Sequence, residues 1–542
     1  MGKEKSTQTG NFVLVLVAMV LGVLIGLMFA NSHSRSNSTG LQGKMDEVLR
    51  LVEREYVETL DADSVSERAV ALLLRELDPH SSYLSARETE QADEMMRGNF
   101  EGVGLVLHRE GDTTFVGQVL EDGPSAGSGI LPGDMILCVD GKKVSGVGMT
   151  ADSVVARLRG PRGSTVTIEV ERQQQAAASI TNNHSPLTFT IRRGVIAHKS
   201  LPCSTMLNDT TGYILLTSFA TTTHREFRDA LRQLKKLGLR HLVLDLRGNG
   251  GGSLSDAVGV AGELLPAGSL IVYTQGAHSR RHDVRARSGG LFTSGRVTVM
   301  IDEGSASASE VVSGALQDND RATVVGRRSF GKGLVQTEFN LQDGSSVLLT
   351  TARYYTPSGR CIQRSYTNGT DEYYRSYVQQ LIDETYADTA AAIADSTPYH
   401  TVGGRIVYGG GGITPDIILP YRKDSTFIYY NRIASAGLLN RVAFGYVKSH
   451  AATLLAHYAD DEDFFRHFKV DDRLIEEVAA RGEKAGIVRN ERSLRAQRGL
   501  MANTMKAYIG QSLYGDNIFY RICMQEDEDL NKVKNGKMKK EK

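Results

Sequence analysis

The sequence predicts a multidomain α/β protein, and three patterns predict it. After Leu187, β-type and α-type runs alternate, which argues for a core built on a largely parallel sheet. From Asn99 to Glu171, short apolar runs are cut by Gly123-Pro124, Pro132-Gly133-Asp134 and Asp140-Gly141, the punctuation of a small, mainly β module. Helical apolar spacing precedes that module and returns after Tyr429. With 542 residues, 41% apolar and 23% charged, the chain is long enough for several cores and has the charge content of a folded protein.

The first thirty residues read as a cytoplasmic stub and a transmembrane anchor. Phe12 to Ala30 is apolar or glycine throughout, and at about 1.5 Å per residue it crosses the roughly 30 Å hydrocarbon layer of a bilayer. Lys3 and Lys5 in front of it favour a cytoplasmic N-terminus with the rest delivered outside. A cleaved signal peptide is the competing reading. The run is longer than the usual roughly 7 to 15 residues, and Met28-Phe29-Ala30 lacks a small residue at the first position of a cleavage box.

Residues 31–98 follow as a polar tether and a helical collar from Met45 to Leu77, which Pro79 ends within Asp78-Pro79-His80-Ser81-Ser82-Tyr83-Leu84. In the β module, 99–172, strands are expected at Gly104 to His108, Thr114 to Leu120, Met135 to Val139 and Thr165 to Glu171, with a helix at Ala151 to Arg159. A polar loop, Gln173 to Pro186, leads to the core at 187–428. There the strands fall at Gly212 to Leu216, His241 to Leu246, Val297 to Asp302 and Ala322 to Val325. Helices fall at Thr223 to Leu237, Ser255 to Leu265 and Ser305 to Gln317. A helical C-terminal extension, 429–542, ends in a lysine-rich tail.

Composition excludes several classes of function. Lys+Arg and Asp+Glu balance at 63 each, so no basic field recruits nucleic acid. The 13 histidines and the cysteines at 138, 203, 361 and 523 show neither metal-ligand nor CxxC spacing; no metal and no cofactor is expected, and the cysteines read as buried thiols.

Three segments carry chemistry. In Val297-Thr-Val-Met-Ile-Asp302-Glu-Gly304-Ser-Ala-Ser307-Ala308-Ser-Glu310, a buried strand feeds a small-residue turn and then a helix. A serine there sits beside free N–H groups and the positive end of the helix dipole, which suit an oxyanion, although serine is also a common plain helix cap. In Phe330-Gly-Lys332-Gly-Leu-Val335-Gln336, an amine lies among apolar residues. Desolvation lowers a lysine from about 10.4 toward neutrality, and a neutral amine is the general base a serine needs. The loop lacks the GxxxxGK[ST] pattern of a phosphate cradle. Asp245-Leu-Arg-Gly-Asn-Gly250-Gly251-Gly252 ends a strand in a glycine loop whose N–H groups suit an anion. For a histidine-based triad the upstream candidates are His80, His224, His241 and His278; none shares a motif with a serine, and His80 reads as a packed collar residue.

In order and spacing these motifs, with Phe100-Glu-Gly-Val-Gly104-Leu105 and Tyr354-Tyr-Thr-Pro-Ser-Gly-Arg360, resemble the carboxyl-terminal processing proteases, serine peptidases with a Ser-Lys pair, over roughly Met45 to Pro420. The resemblance implies Ser307 as nucleophile, Lys332 as its base, Gln336 as the residue that orients the amine, and an oxyanion hole from the N–H groups of Gly251 and Ala308. Gly250 stands where that family usually has proline, and Asp318 matches an acidic family position but reads here as solvated. The β module resembles a PDZ domain, which implies that Phe100, Gly102, Val103, Gly104 and Leu105 bind a substrate's C-terminal carboxylate and that the following strand pairs with the peptide. Leu105, Leu107, Val154 and Leu158 line its pocket or are plain core, and in the family the module can gate the site.

The implied function is a serine endopeptidase that cleaves proteins near their C-termini, held in a bacterial inner membrane with its catalytic domains in the periplasm. The implied partners are protein or peptide substrates and the membrane, with a homo-oligomer or an adaptor protein left open. Residues 364–411 replace a short family connection with an insertion, helical from Asp371 to Thr385, expected to cover or flank the cleft. The rival reading is a non-catalytic PDZ-containing scaffold; the intact Ser307, Lys332 and Gln336 argue for the enzyme.

Overall fold

Strands that are apolar on both faces need a layer on each side of their sheet. The computed structural model describes residues 41–172, 186–287, 289–386, 397–421 and 424–536. Its central sheet has the order Cys203–Met206, Thr211–Leu215, His241–Asp245, Arg296–Ile301, Thr323–Gly326 and Ile417–Ile418, parallel from the second strand onward. Alternate residues of a strand face opposite ways. Ile214, Leu242, Leu244, Val299 and Val324 pack on Phe227, Val260 and Val311, one from each of the helices Thr223–Lys236, Leu254–Leu264 and Ala308–Asp318. Tyr213, Leu215, Val243, Met300 and Val325 face the other way, onto Leu530 and Val533 of the helix Glu528–Lys534. The C-terminal extension thus supplies the second layer of the core.

A second sheet is antiparallel and was not foreseen. It runs Ser82–Leu84, Ser346–Tyr355, Leu270–Gln275, His282–Arg285, with Leu334–Asn340 also paired to Ser346–Tyr355. The strand Leu334–Asn340 begins immediately after the Gly331-Lys332-Gly333 loop and carries Gln336.

The β module forms its own sheet, Leu105–Glu110, Thr113–Val119, Met135–Val139, Thr165–Glu171 and Leu187–Arg192, with Val154 and Leu158 of the helix Ala151–Leu158 in its core. The expected boundary needs correction. Leu187–Arg192, assigned from sequence to the start of the α/β core, pairs antiparallel with Thr165–Glu171, and Gly194–Ala197 pairs back with Asn99–Gly102. The polar loop therefore joins two neighbouring strands of one domain, which runs to about residue 197; residues 173–185 lie outside the described part.

The expected collar helix is two helices, Leu41–Glu55 and Ala62–Arg75, because the Asp61 carboxylate accepts from Ser64 N (3.4 Å) and starts the second one. The apolar Phe12 to Ala30 segment and most of the tether lie outside the described residues, and among the described residues no helix is long and apolar enough to cross a membrane. Among the described residues the four cysteines are unpaired, but only Cys203 is buried; Cys138, Cys361 and Cys523 are half-buried, since Cys203 alone lies within the central sheet. The helices between Thr426 and Lys534 have a core of their own around Phe464, Met501, Met505 and Ile522. They also touch the β module, where the rings of Phe444 and His108 lie 4.0 Å apart and Lys448 Nζ is 2.5 Å from the Glu110 carboxylate.

Asp318 is not solvated. It is fully buried, 2.8 Å from the equally buried Arg360 guanidinium, and accepts from Ser358 N (3.1 Å) and Ser358 Oγ (2.6 Å). The Thr356-Pro-Ser-Gly-Arg360 turn is thereby fastened to the end of the helix Ala308–Asp318. Asp318→Ala leaves a buried guanidinium without its carboxylate, and we expect urea unfolding to show a loss of about 3–5 kcal/mol; a loss under about 1 kcal/mol would contradict this account.

Candidate active site

Ser307 stands where the strand Arg296–Ile301 turns into the helix Ala308–Asp318. Asp302 shapes the turn by accepting from Gly304 N (3.0 Å) and Gly248 N (2.8 Å), and Ser305 Oγ donates to Leu246 O (2.8 Å). Ser307 has φ 54° and ψ −112°, a conformation that residues with a side chain rarely adopt, and it is half-buried. Ser307 N donates to Glu310 Oε2 at 2.8 Å, which holds the strained residue in place.

Glu310 is the hub of the site. Its fully buried carboxylate also accepts from Ser329 Oγ (2.5 Å), Gly331 N (2.7 Å) and Lys332 N (2.9 Å). One oxygen, Oε2, receives the N–H groups of both Ser307 and Lys332, so the two backbones lie side by side. Burial pushes the Glu310 carboxyl up to about 7 against the four donors that hold it down. Tyr354, fully buried, places its hydroxyl 3.2 Å from Ser307 O and in contact with Lys332 O. A hydroxyl has one proton, so it can donate to only one of these carbonyls at a time.

The Lys332 amine points to Gln336 Oε1 at 2.8 Å, and Gln336 Nε2 donates to His80 O at 2.7 Å. The pairing register shifts between Val335 and Gln336, a bulge of the kind that re-aims a side chain. Burial lowers the Lys332 amine from its ordinary value, while the charges of Glu310 and Asp78 pull it back up. Among the described residues no hydrogen bond joins Ser307 Oγ to Lys332 Nζ; the amine rests on Gln336. Such contacts are often loose in a free enzyme and tighten with substrate.

The glycine loop lies against this pair. A Cβ on Gly251 would fall 2.8 Å from both Ala306 O and Ser307 Cβ and 3.0 Å from Ala308 N, at a φ of +104°, so only glycine fits. Ala308 N belongs to the first helical turn, whose N–H groups have no acceptor within the helix. Gly251 N–H, by contrast, donates to Asn249 Oδ1 at 2.9 Å, and Asn249 is itself anchored to Leu216 O (2.9 Å). Of the expected oxyanion pair, one donor is therefore occupied. At Gly250 an added Cβ meets nothing within 4 Å, so packing does not exclude the usual proline. Below the loop, Arg247 bridges Asp245 (2.6 Å) and Asp527 (2.6 Å), while Arg327 bridges Glu303 (3.1 Å) and Asp529 (3.0 Å).

In the β module, Val103 is core, and its carbonyl accepts from Ser125 N (3.0 Å) and Ser125 Oγ (2.7 Å). Gly104 needs its φ of +76°, since a Cβ would lie 2.8 Å from Gly123 Cα. Phe100 and Gly102 belong to the strand paired with Gly194–Ala197, and the Arg159 guanidinium lies 4.9 Å from the Phe100 ring centroid. Leu105 is half-buried on the strand Leu105–Glu110, which is the edge of its sheet; Val154 and Leu158 are core. His224 meets Glu263 (2.9 Å), His241 meets Thr298 (2.9 Å), His278 is exposed, and among the described residues none of the four candidate histidines bonds to Ser307. His80 is packed, as read, but its carbonyl holds Gln336. Sequence reasoning gave no role to Glu310, Tyr354 or this carbonyl, although the Ser-x-x-Glu spacing of a capping box marked Glu310.

The sequence pattern of peptidase family S41 matches residues 210–372, that of the PDZ domain matches 115–172, and that of a family of unknown function matches 429–515. A carboxy-terminal-processing protease of Bartonella bacilliformis is 35% identical over 339 residues, 61% of this chain and 75% of that protein. The carboxy-terminal processing protease CtpA of Bacillus subtilis is 30% identical over 359 residues, 65% of this chain and 74% of that protein. The solved photosystem II D1 C-terminal processing protease aligns with 57% of this chain and 82% of its own at 30% identity, with a TM-score of 0.32. The chain therefore belongs to the carboxyl-terminal processing proteases of peptidase family S41, serine peptidases that carry a PDZ domain.

Proposed function

We propose that the protein is an endopeptidase in which Ser307 attacks the scissile carbonyl while the neutral amine of Lys332 takes its proton. The observation that carries this reading is the Lys332 amine itself: it is desolvated, lowered by burial, and aimed by Gln336 beside the turn that bears Ser307. The proton taken from Ser307 Oγ then passes from Lys332 to the leaving amine, and the acyl ester on Ser307 is cleared by a water that Lys332 deprotonates in its turn. Ala308 N–H receives the oxyanion. Gly251 N–H joins it when the developing charge, a stronger acceptor than an amide oxygen, displaces Asn249.

Among the described residues the outer edge of Leu105–Glu110 is unpaired, which suits strand addition by a peptide whose terminal carboxylate meets the Val103-Gly104 segment before it, so substrates would be held by their C-termini. With this reading go an anchor at Phe12 to Ala30 and a periplasmic site at a bacterial inner membrane, which fractionation and protease accessibility of the full chain test.

The enzymatic test uses the full chain and a protein substrate with an apolar C-terminus. Ser307→Ala and Lys332→Ala should each lower kcat/KM by about three orders of magnitude or more. Lys332→Arg should be equally inactive, because a guanidinium stays charged. Cleavage by all three at the parent rate would sink the Ser-Lys assignment, and a parent chain that binds the substrate without cutting it would favour the scaffold. The pH profile has a definite sign. Below its pKa the amine is protonated and cannot accept a proton, so kcat/KM rises with pH and levels off above the lowered Lys332 value.

Gln336→Ala frees the amine without removing it, and a loss of about 10- to 100-fold in kcat is expected, part of the roughly 10²–10⁴ available to general base catalysis; steady-state kinetics at fixed pH measures it. Glu310→Gln sets an NH2 against N–H donors that need an acceptor. It should cost about 1–3 kcal/mol of stability in chemical denaturation and lower kcat as well.

A further inference from the structure

The chain at the two ends of the insertion at 364–411 grips the lysine loop. On one side Arg364 N donates to Gly331 O (3.0 Å) and Gly333 N to Gln363 Oε1 (2.8 Å). On the other, Ile413 N donates to Ser329 Oγ (2.6 Å) and Ser329 N to Ile413 O (3.1 Å). A Cβ on Gly331 would sit 2.5 Å from Arg364 Cγ, and one on Gly333 would sit 2.9 Å from Gln363 N, so the glycines that flank Lys332 make room for this clasp.

The helix Thr370–Tyr386 of the insertion then lies over the loop. Tyr373, 1% exposed, sets its ring 5.4 Å from His80 and 6.3 Å from Phe330, and its hydroxyl is 3.2 Å from His80 Nε2. Tyr377 packs its ring 4.8 Å from Phe330 and donates to Glu303 O at 2.9 Å, and Tyr374 donates to Pro79 O at 3.0 Å. Tyr373 thus holds the His80 ring, while the backbone carbonyl of the same His80 holds Gln336, which in turn meets the Lys332 amine.

We propose that this helix is the roof of the base, and that Tyr373 is a positioning residue which, through His80 and Gln336, aims the Lys332 amine and keeps water from it. The proposal rests on Lys332 acting as the base and deepens that reading. The charged and titratable groups around the amine are Glu310 on the nucleophile helix, and Asp78 and His80 on the turn below Tyr373; Arg364 stacks on the outer side, 5.6 Å from the Tyr373 ring centroid. Burial, and then the charge of Lys332, lower His80 to about 4, so its ring is neutral in the working range and Nε2 shares one hydrogen bond with the Tyr373 hydroxyl. Burial is also the leading cause that lowers Lys332.

The test is the pH dependence of kcat and kcat/KM of the full chain. Tyr373→Phe keeps the ring and removes only the hydroxyl; kcat should fall about 2- to 10-fold at unchanged KM, the size of one net hydrogen bond. Tyr373→Leu opens the roof, and the acid limb of kcat/KM should move up by about one pH unit as the amine regains water. An unchanged kcat in Tyr373→Phe overturns the proposal, as does an unmoved acid limb in Tyr373→Leu; if the leucine variant fails to fold, the phenylalanine variant decides. An active Lys332→Ala would remove the parent reading, whereas an inactive Lys332→Ala beside unaffected Tyr373 variants removes the roof alone.

Discussion

One buried carboxylate holds the site together. Glu310 is the common acceptor for Ser307 N, Ser329 Oγ, Gly331 N and Lys332 N, so the turn before one helix and the loop before one strand are fixed to the same pair of oxygens. A charge so deeply buried is costly unless its lone pairs are filled. Here they are filled by groups from the two segments that must meet. Withdrawal of either segment exposes the carboxylate's cost, which couples the strained Ser307 backbone to the position of the amine. The aromatic layer of His80, Phe330 and Tyr373 lies above this arrangement, and the Tyr354 hydroxyl gives it a second tie.

Around this centre the fold works as a set of layers. Three helices cover one face of the parallel sheet and the helical extension covers the other. The extension also reaches the loops that matter: Asp527 grips Arg247 beside the glycine loop, and Asp529 grips Arg327 at the entry to the lysine loop. Through Phe444 and Lys448 it touches the PDZ domain as well. The extension therefore borders the PDZ domain, the glycine loop and the lysine loop at once.

Much of this was legible in the sequence wherever the signal was local. The strand–turn–helix around Ser307, the glycine-flanked Lys332 and the four-residue step to Gln336 lie in short segments whose pattern dictates their shape, and the core strands fell within a residue or two of expectation. The unforeseen parts depend on distant partners. Asp318 looked solvated because its partner, Arg360, comes from another turn. Leu187–Arg192 looked like the first strand of the core because a polar loop hides its pairing with Thr165–Glu171. The engagement of Gly251 N–H by Asn249 depends on side-chain orientation, which spacing does not encode.

The two-sided covering of the central sheet also has a consequence for biosynthesis. As the chain leaves the ribosome, Tyr213, Val243, Met300 and Val325 emerge long before Leu530 and Val533, their partners across the layer. During that interval the sheet has an uncovered, adhesive flank, and contacts that span so much chain are slow to close. The nascent peptidase core thus keeps one flank of its sheet open until residues 516–534 arrive, and the carboxylate that grips Arg247 arrives with them.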